Sequence, residues 1–298
     1  MKTIVGLLRL MRPKQWLKNG VLFAGVIFSQ LFTIPAALLN AAAAFGVFCL
    51  LSGAVYALND AVDAERDRTH PEKKNRPVAA GVVSRPLAFI WSFLLAAGGL
   101  TAAWFITQSF FVVGAAYLAL NLLYSFWGKQ VVILDVFLIA LGFVLRAVGG
   151  IEALVEISPG LTFSTWFLGV TLFLALFLGL EKRRAELKTL EAGAATHRKT
   201  LSQYTPHLVD QMSAVVTSAT VISYCLYTMW PSTVANFGTE ALIYTVPFVL
   251  FGIFRYLYDV EKKNLGGNPS AILAKDVYLL VDVLLWVVSV VLIILFKP

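Results

Sequence analysis

Two cysteines and three histidines in 298 residues leave little room for thiol or soft-metal chemistry. Cys49 and Cys225 both fall in apolar stretches without ligand spacing, which argues against a disulfide or a zinc site and leaves small apolar packers. His70, His197 and His207 are scattered through polar connections, and no Ser-His-Asp or Cys-His arrangement accompanies them. Charge is scarce as well. Only 14% of residues are Asp, Glu, Lys or Arg, against about 25% in soluble domains. With 59% hydrophobic residues and a mean hydropathy of +0.78, the chain reads as an integral membrane protein. The apolar runs are continuous rather than alternating, which selects helices over a barrel.

About nine spans are expected: Val21–Leu38, Ala41–Leu58, Leu87–Thr107, Phe110–Phe126, Val131–Ile151, Phe163–Leu180, Met212–Trp230, Ala241–Tyr258 and Val277–Phe296. Their connections sort by charge. One set carries Arg12, Lys14 and Lys18, then Arg66 to Arg85, Lys129, Lys182 to Lys199, and Lys262 to Lys275. The other set, near Thr33, Gln108, Ile157 and Asn236, has no Lys or Arg. The positive-inside rule puts the N-terminus and every basic loop in the cytoplasm of a plasma-membrane protein, and an odd number of spans leaves the C-terminus outside. That topology accounts for the net charge of +7 without a nucleic-acid partner. Residues 1–19 lack the unbroken apolar core of a cleavable signal, because Arg9 interrupts it; an amphipathic helix lying at the interface fits better. One membrane domain over 1–298 is expected, with polar motifs in the cytoplasmic loops 60–85 and 181–207.

The richest stretch closes the second span: Asn59-Asp60-Ala61-Val62-Asp63-Ala64-Glu65-Arg66-Asp67. Carboxylates where a span meets water are costly unless they bind something. On a helix Asn59, Asp63 and Asp67 fall at i, i+4 and i+8 with Asp60 beside them, all within an arc of roughly 100°, while Glu65 points away. Like charges on one face repel, so mere solvation does not favour this spacing. Oxygen ligands at that boundary suit Mg²⁺, which takes one or two carboxylates and completes its shell with substrate phosphates. The plainer alternative is an acidic, solvated helix end.

The loop continues His70-Pro71-Glu72-Lys73-Lys74-Asn75-Arg76-Pro77 and reaches Gly81. An Asn-Asp-x-x-Asp-x-x-x-Asp stretch followed by this basic one resembles the UbiA-type superfamily of membrane prenyltransferases. The resemblance implies an all-α, UbiA-like bundle of about nine helices with a cytoplasm-facing active-site cavity that binds a diphosphate through Mg²⁺. Three further segments are similar to one branch: Arg12-Pro13-Lys14-Gln15-Trp16-Leu17-Lys18-Asn19; Tyr124 to Lys129 with Asp135 and Leu145 to Gly150; and Lys182-Arg183-Arg184-Ala185-Glu186-Leu187. That branch implies transfer of 5-phosphoribose from phosphoribosyl pyrophosphate to a polyprenyl, decaprenyl-like phosphate, supplying arabinose donors for the cell envelope. The same resemblance leaves open a prenyl transfer from a prenyl diphosphate to an aromatic or other small acceptor. A transporter, with Arg146 and Asp282 on its pathway, is disfavoured because the polar cluster lies at one membrane face.

One departure from the aromatic prenyltransferases bears on this choice. They carry a second Asp-rich motif after the sixth helix, whereas here Glu181 and Glu186 are separated by Lys182, Arg183 and Arg184. Five residues turn a helix by about 140°, so those glutamates form no single ligand face. The cations suggest phosphate contacts, with Glu186 beside them, or simple positive-inside anchors.

With phosphoribosyl pyrophosphate as donor, the expected roles follow. Asp63 and Asp67 hold Mg²⁺ with Asn59 and Asp60 as neighbouring oxygen ligands; Asp60, Asp63 and Asp67 also moderate positive charge on the ribose. Lys18, Arg76 and Lys129 are placed for phosphate contacts, together with Lys182 and Arg183. Arg146 lies deep in an apolar span, roughly 16 Å along a helix from Asp135. It either shapes the cavity or pairs with an acid such as Asp282.

Overall fold

The computed structural model describes residues 2–69, 73–161, 164–191, 200–263, 272 and 275–297. All regular elements among them are helical. Eight of the described helices are long and apolar enough to cross a membrane, and they correspond to the second through ninth expected spans.

The chain begins with α1 (Lys2–Leu10), a 3-10 segment over Pro13–Leu22 and the short α2 (Phe23–Phe28). The expected first span, Val21–Leu38, is therefore not one helix. Gln30 turns the chain with a φ of 59°, and Ile34, held extended ahead of a proline, cannot carry a helix forward. Pro35 then opens α3 (Pro35–Val62), so the second span starts well before Ala41. The short α4 (Ala64–Arg68) follows, then α5 (Arg85–Ile106), α6 (Gln108–Phe126), α7 (Leu134–Glu152), α8 (Thr165–Glu191), α9 (Pro206–Met229), α10 (Pro231–Phe237), α11 (Val246–Lys263) and α12 (Val277–Phe296). Ser84, Thr107, Thr205 and Asp276 each cap a following helix by accepting a backbone N–H.

The chain forms two compact units, Met1–Trp127 with Leu145–Leu161 and Gly128–Val144 with Thr162–Pro298. In the first, α3 packs along α5 and α6 and meets the 3-10 segment, α1 and α2. Its buried positions are largely small, including Ala37, Ala41, Ala44, Gly53, Ala54, Ala57 and Ala61. Small residues let helices approach closely where lipid offers no hydrophobic driving force. The core of α3 is 61% buried against 17% for α5, which makes α3 the central helix and turns α5 outward. Leu10 on α1 packs with Ala57, Ala61 and Ala64, so α1 lies over the end of α3. Gly150 sits where a Cβ would collide with the Leu22 carbonyl, so the C-terminal half of α7 and the opening passage touch backbone to backbone.

In the second unit α8 lies along α9, and α11 contacts α12, α9 and α8. Val136 and Ala140 of α7 join Ala175, Leu176, Leu180 and Val209 in one core. Phe177, Ile253, Tyr256 and Leu279 form a second.

Candidate functional site

The acidic stretch does end a span, and its helical phase survives a break. Asp63 leaves helical geometry and separates α3 from α4. Its N–H still donates to the Asn59 carbonyl at 2.9 Å, and the Asp67 N–H donates to the Asp63 carbonyl at 2.9 Å. The i, i+4, i+8 spacing of Asn59, Asp63 and Asp67 is thus kept. Asp60 and Asp67 are buried, Asn59 and Asp63 are half-buried, and Glu65 is exposed with Arg85 as its partner.

Two arginines close on these acids. Arg12 donates from its guanidinium to Asp60 Oδ1 at 2.6 Å. Arg76 donates to Asp67 Oδ2 at 2.6 Å and stands 3.7 Å from Asp60 Oδ1. The sequence pattern points to Arg76 as a phosphate contact in the loop over the acids, but not to Arg12. Its signal was its place in the opening Arg-Pro-Lys-Gln-Trp segment. Among the described residues no group of three or more His, Cys, Asp or Glu side chains is gathered as a metal site. Mg²⁺ asks for fewer, since one or two carboxylates and an amide oxygen suffice when phosphates and water complete the shell. The donor set of Asn59, Asp63 and Asp67 fits that demand. His70, the histidine nearest the acids in sequence, lies outside the described residues, as does His197; His207 is exposed on the first turn of α9.

Arg146 is buried and satisfied within the first unit. Its Nε donates to Asn19 Oδ1 at 2.8 Å, its terminal nitrogen donates to the Tyr117 hydroxyl at 2.7 Å, and its guanidinium lies 4.7 Å over the Tyr117 ring. Asn19, at 1% exposure, also reaches Ser52 Oγ and Cys49 Sγ at 3.4 Å. Two neutral side chains thus accept hydrogen bonds from this buried guanidinium. Asp282 is buried on α12 against Gly252, where a Cβ would come 3.0 Å from its Oδ2. Lys18 is half-buried in the 3-10 segment between Arg12 and Asn19.

The second unit holds another charged cluster. Arg183 is buried and donates from Nε to Asp135 Oδ2 at 2.9 Å and from Nη1 to Glu186 Oε2 at 2.5 Å. The Tyr204 hydroxyl donates to Asp135 Oδ1 at 2.7 Å and accepts the Ile133 N–H at 2.8 Å. Burial and the Asp135 carboxylate push the Tyr204 phenol well above its ordinary range. Asp135 is fully buried. Arg183, anticipated as a phosphate contact, has its guanidinium committed to two carboxylates. Lys182 and Lys129 are half-buried; Lys182 stands 4.0 Å from Glu186 Oε1. Lys129 rides a 3-10 turn over Gly128–Gln130 whose backbone accepts from Thr200 Oγ1 at 3.4 Å. Glu181 turns away from Glu186, accepting from Ser213 Oγ at 2.5 Å, in line with the argument that the two glutamates share no face. Arg184 pairs instead with Asp210 and Glu261. A cavity of about 750 Å³ in this unit, lined by residues such as Thr239, Tyr244, Phe248 and Leu292, contains none of the anticipated site residues.

These features define a multi-pass helical membrane protein with charged clusters at span ends. The chain belongs to the UbiA prenyltransferase family, whose model matches residues 20–280. It is 34% identical to the decaprenyl-phosphate phosphoribosyltransferase of Mycolicibacterium smegmatis, over 95% of this chain and 91% of that protein. It is also 34% identical to the enzyme of the same name from Corynebacterium glutamicum, over 98% and 88% of the respective chains. In structure it is similar to a UbiA homolog from Archaeoglobus fulgidus bound to GPP and Mg²⁺, with a TM-score of 0.73, 20% identity, and 96% and 99% of the two chains covered. At that identity the likeness establishes the fold.

Proposed function

We propose that this chain transfers a 5-phosphoribosyl group from phosphoribosyl pyrophosphate to a polyprenyl phosphate in the membrane, releasing diphosphate. The observation that carries this reading is the acidic passage from α3 into α4, where backbone bonds link Asn59, Asp63 and Asp67 at i, i+4 steps and Arg12 and Arg76 pair with Asp60 and Asp67. Near full-length identity to phosphoribosyltransferases of two organisms supports the choice of donor.

Asn59, Asp63 and Asp67 would hold Mg²⁺, which supplies charge compensation for a departing diphosphate. In the reaction the C1–O bond of the donor breaks, the electron pair leaves with diphosphate, and an oxygen of the lipid phosphate forms the new bond to C1. The acceptor is already anionic, so no general base is needed. Carboxylates at the helix end stabilise the positive charge that builds on the ribose ring, and Arg76, Lys129 and Lys18 supply cations for phosphate oxygens. The basic loops, and with them this helix end and the N-terminus, face the cytoplasm, where a soluble donor meets a lipid acceptor.

The test is incubation of the purified protein with phosphoribosyl pyrophosphate labelled in the ribose and a polyprenyl phosphate. Label entering the organic phase is expected. Label transferred only from a prenyl diphosphate to a small acceptor would overturn the reading.

A further inference from the structure

At the end of the second unit away from the basic loops lies the cavity of about 750 Å³, set between the start of α11 and the end of α12. The 3-10 turn over Ala241–Thr245 forms one side of it. The wall behind that turn is fixed by hydrogen bonds. Thr245 Oγ1 and the Tyr224 hydroxyl are bonded at 2.6 Å, and Trp286 Nε1 donates to that hydroxyl at 2.9 Å.

The polarity of the lining is graded along the helices. Thr239 and Glu240 come from the turn ahead of α11, whereas Phe248 lies within α11 and Leu292 and Ile293 lie within α12. Trp166 and Trp230, with rings 5.3 Å apart at the same end of α8 and α9, mark the headgroup level, as does the exposed Tyr244. The cavity thus has a polar mouth at the membrane interface and an apolar floor at the depth of acyl chains.

Opposite charges meet at that mouth. Glu240 is an exposed part of the lining. Lys297 reaches across Gly238, where a Cβ would stand 3.7 Å from its Cδ and 3.9 Å from its Nζ. It is a cation at the end whose connections carry no Lys or Arg, so the charge bias of topology does not account for it. Among the described residues neither side chain forms an ion pair.

These charges, rather than the floor, can select a lipid. Lipid tails are as apolar as leucine, so an apolar lining alone prefers none of them. A lysine beside a glutamate matches a headgroup that carries both a phosphate and an ammonium, and the glutamate repels one that is only anionic. A primary ammonium donates hydrogen bonds to a carboxylate. A quaternary one has no N–H to give, and among the described residues of the mouth Tyr244 alone makes no aromatic cage for it.

We propose that this cavity binds one phospholipid with a primary-amine headgroup, phosphatidylethanolamine. Its phosphate meets Lys297, its ammonium meets Glu240, and an acyl chain lies against Phe248 and Leu292. The site shares no residue with those assigned to transfer, so it stands or falls apart from that reading.

Native mass spectrometry of the purified, delipidated full chain tests this, with phosphatidylethanolamine, phosphatidylcholine and phosphatidylglycerol of identical acyl chains added in turn. One phosphatidylethanolamine per chain should be retained, with each of the other two held about tenfold more weakly, the loss of one charge-assisted contact. Glu240→Gln should erase the preference over phosphatidylcholine. Lys297→Gln should weaken both lipids alike, because they share the phosphate. Ser289→Phe, which fills the floor, should lower retention of all three; the two rim variants keep the test decisive should that one misfold. Phosphatidylglycerol held as tightly as phosphatidylethanolamine, or an unchanged preference in Glu240→Gln, would overturn the proposal. So would several equivalent lipids per chain, which is an unselective shell, or displacement of the bound lipid by decaprenyl phosphate, which would give the cavity to the acceptor's tail.

Discussion

Arg76 donates to Asp67 Oδ2 at 2.6 Å across nine residues of sequence, so the polar loop folds back onto the helix end that precedes it. An acid buried at a membrane boundary is sustained by a cation, and here the chain supplies its own. The pairing gives Asp67 a cationic partner at the helix end, while Arg76 stays about a quarter exposed.

The first prediction concerns that metal. Chelation with EDTA should abolish transfer, and added Mg²⁺ should restore it. Asp63→Asn and Asp67→Asn should each lose most activity while eluting as folded protein in detergent. Glu65→Gln, at an exposed position paired only loosely with Arg85 at 3.4 Å, should keep most of it. Equal loss at Glu65 would remove the one-face argument.

A second prediction assigns cations to the donor. Arg76→Ala and Lys129→Ala should each raise the KM for phosphoribosyl pyrophosphate, with ~1.5–3 kcal/mol lost per charge-assisted contact, roughly tenfold or more. Arg76→Ala should also lower stability, because Asp67 loses its partner. Donor KM values unchanged in both variants would reduce these residues to topology.

The third prediction turns on the Asp135–Arg183 pair. Removing one member of a buried pair typically costs ~3–5 kcal/mol, so Asp135→Leu should destabilise the second unit severely. Tyr204→Phe should cost about 1–3 kcal/mol by stranding the Ile133 N–H and one Asp135 oxygen. The pH dependence has a definite sign. The folded-state pKa of Tyr204 is raised, so its contribution is complete below the unfolded tyrosine pKa of about 10 and fades as pH rises beyond it. Alkaline unfolding of wild type should therefore steepen above that pH relative to Tyr204→Phe. Parallel curves would show that the phenol is not held neutral.

The later spans were legible because twenty apolar residues in a row admit one structure in lipid. The opening passage was not, since its apolar run conceals a reversal at Gln30 that depends on local dihedrals rather than hydropathy. The spacing of Asn59, Asp63 and Asp67 was legible because it needs only the helical repeat. The arginine facing Asp60 was not, being 48 residues away, nor was the tyrosine on Asp135, 69 residues away. Charge excess had an ordinary explanation in topology, so pattern alone could not separate an anchoring arginine such as Arg184 from a buried one such as Arg183.

The last prediction concerns Arg146. It donates to the side chains of Asn19 and Tyr117, both neutral acceptors. The two sides of the Asn19 bond are unequal. Arg146→Met removes the charge and leaves a neutral amide oxygen and a phenol to find other partners, at about 1–3 kcal/mol for each that fails. Asn19→Leu keeps the charge and turns its Nε–H toward a hydrocarbon side chain, which costs more because an ionised group is left without its acceptor. Asn19→Leu should therefore lower the Tm in detergent more than Arg146→Met. The double variant should lie closer to Arg146→Met than to the sum of the two losses. Strictly additive losses, or a milder effect at Asn19, would show that the hydrogen bond carries no coupling and that Arg146 is stabilised by its ring contact with Tyr117 instead.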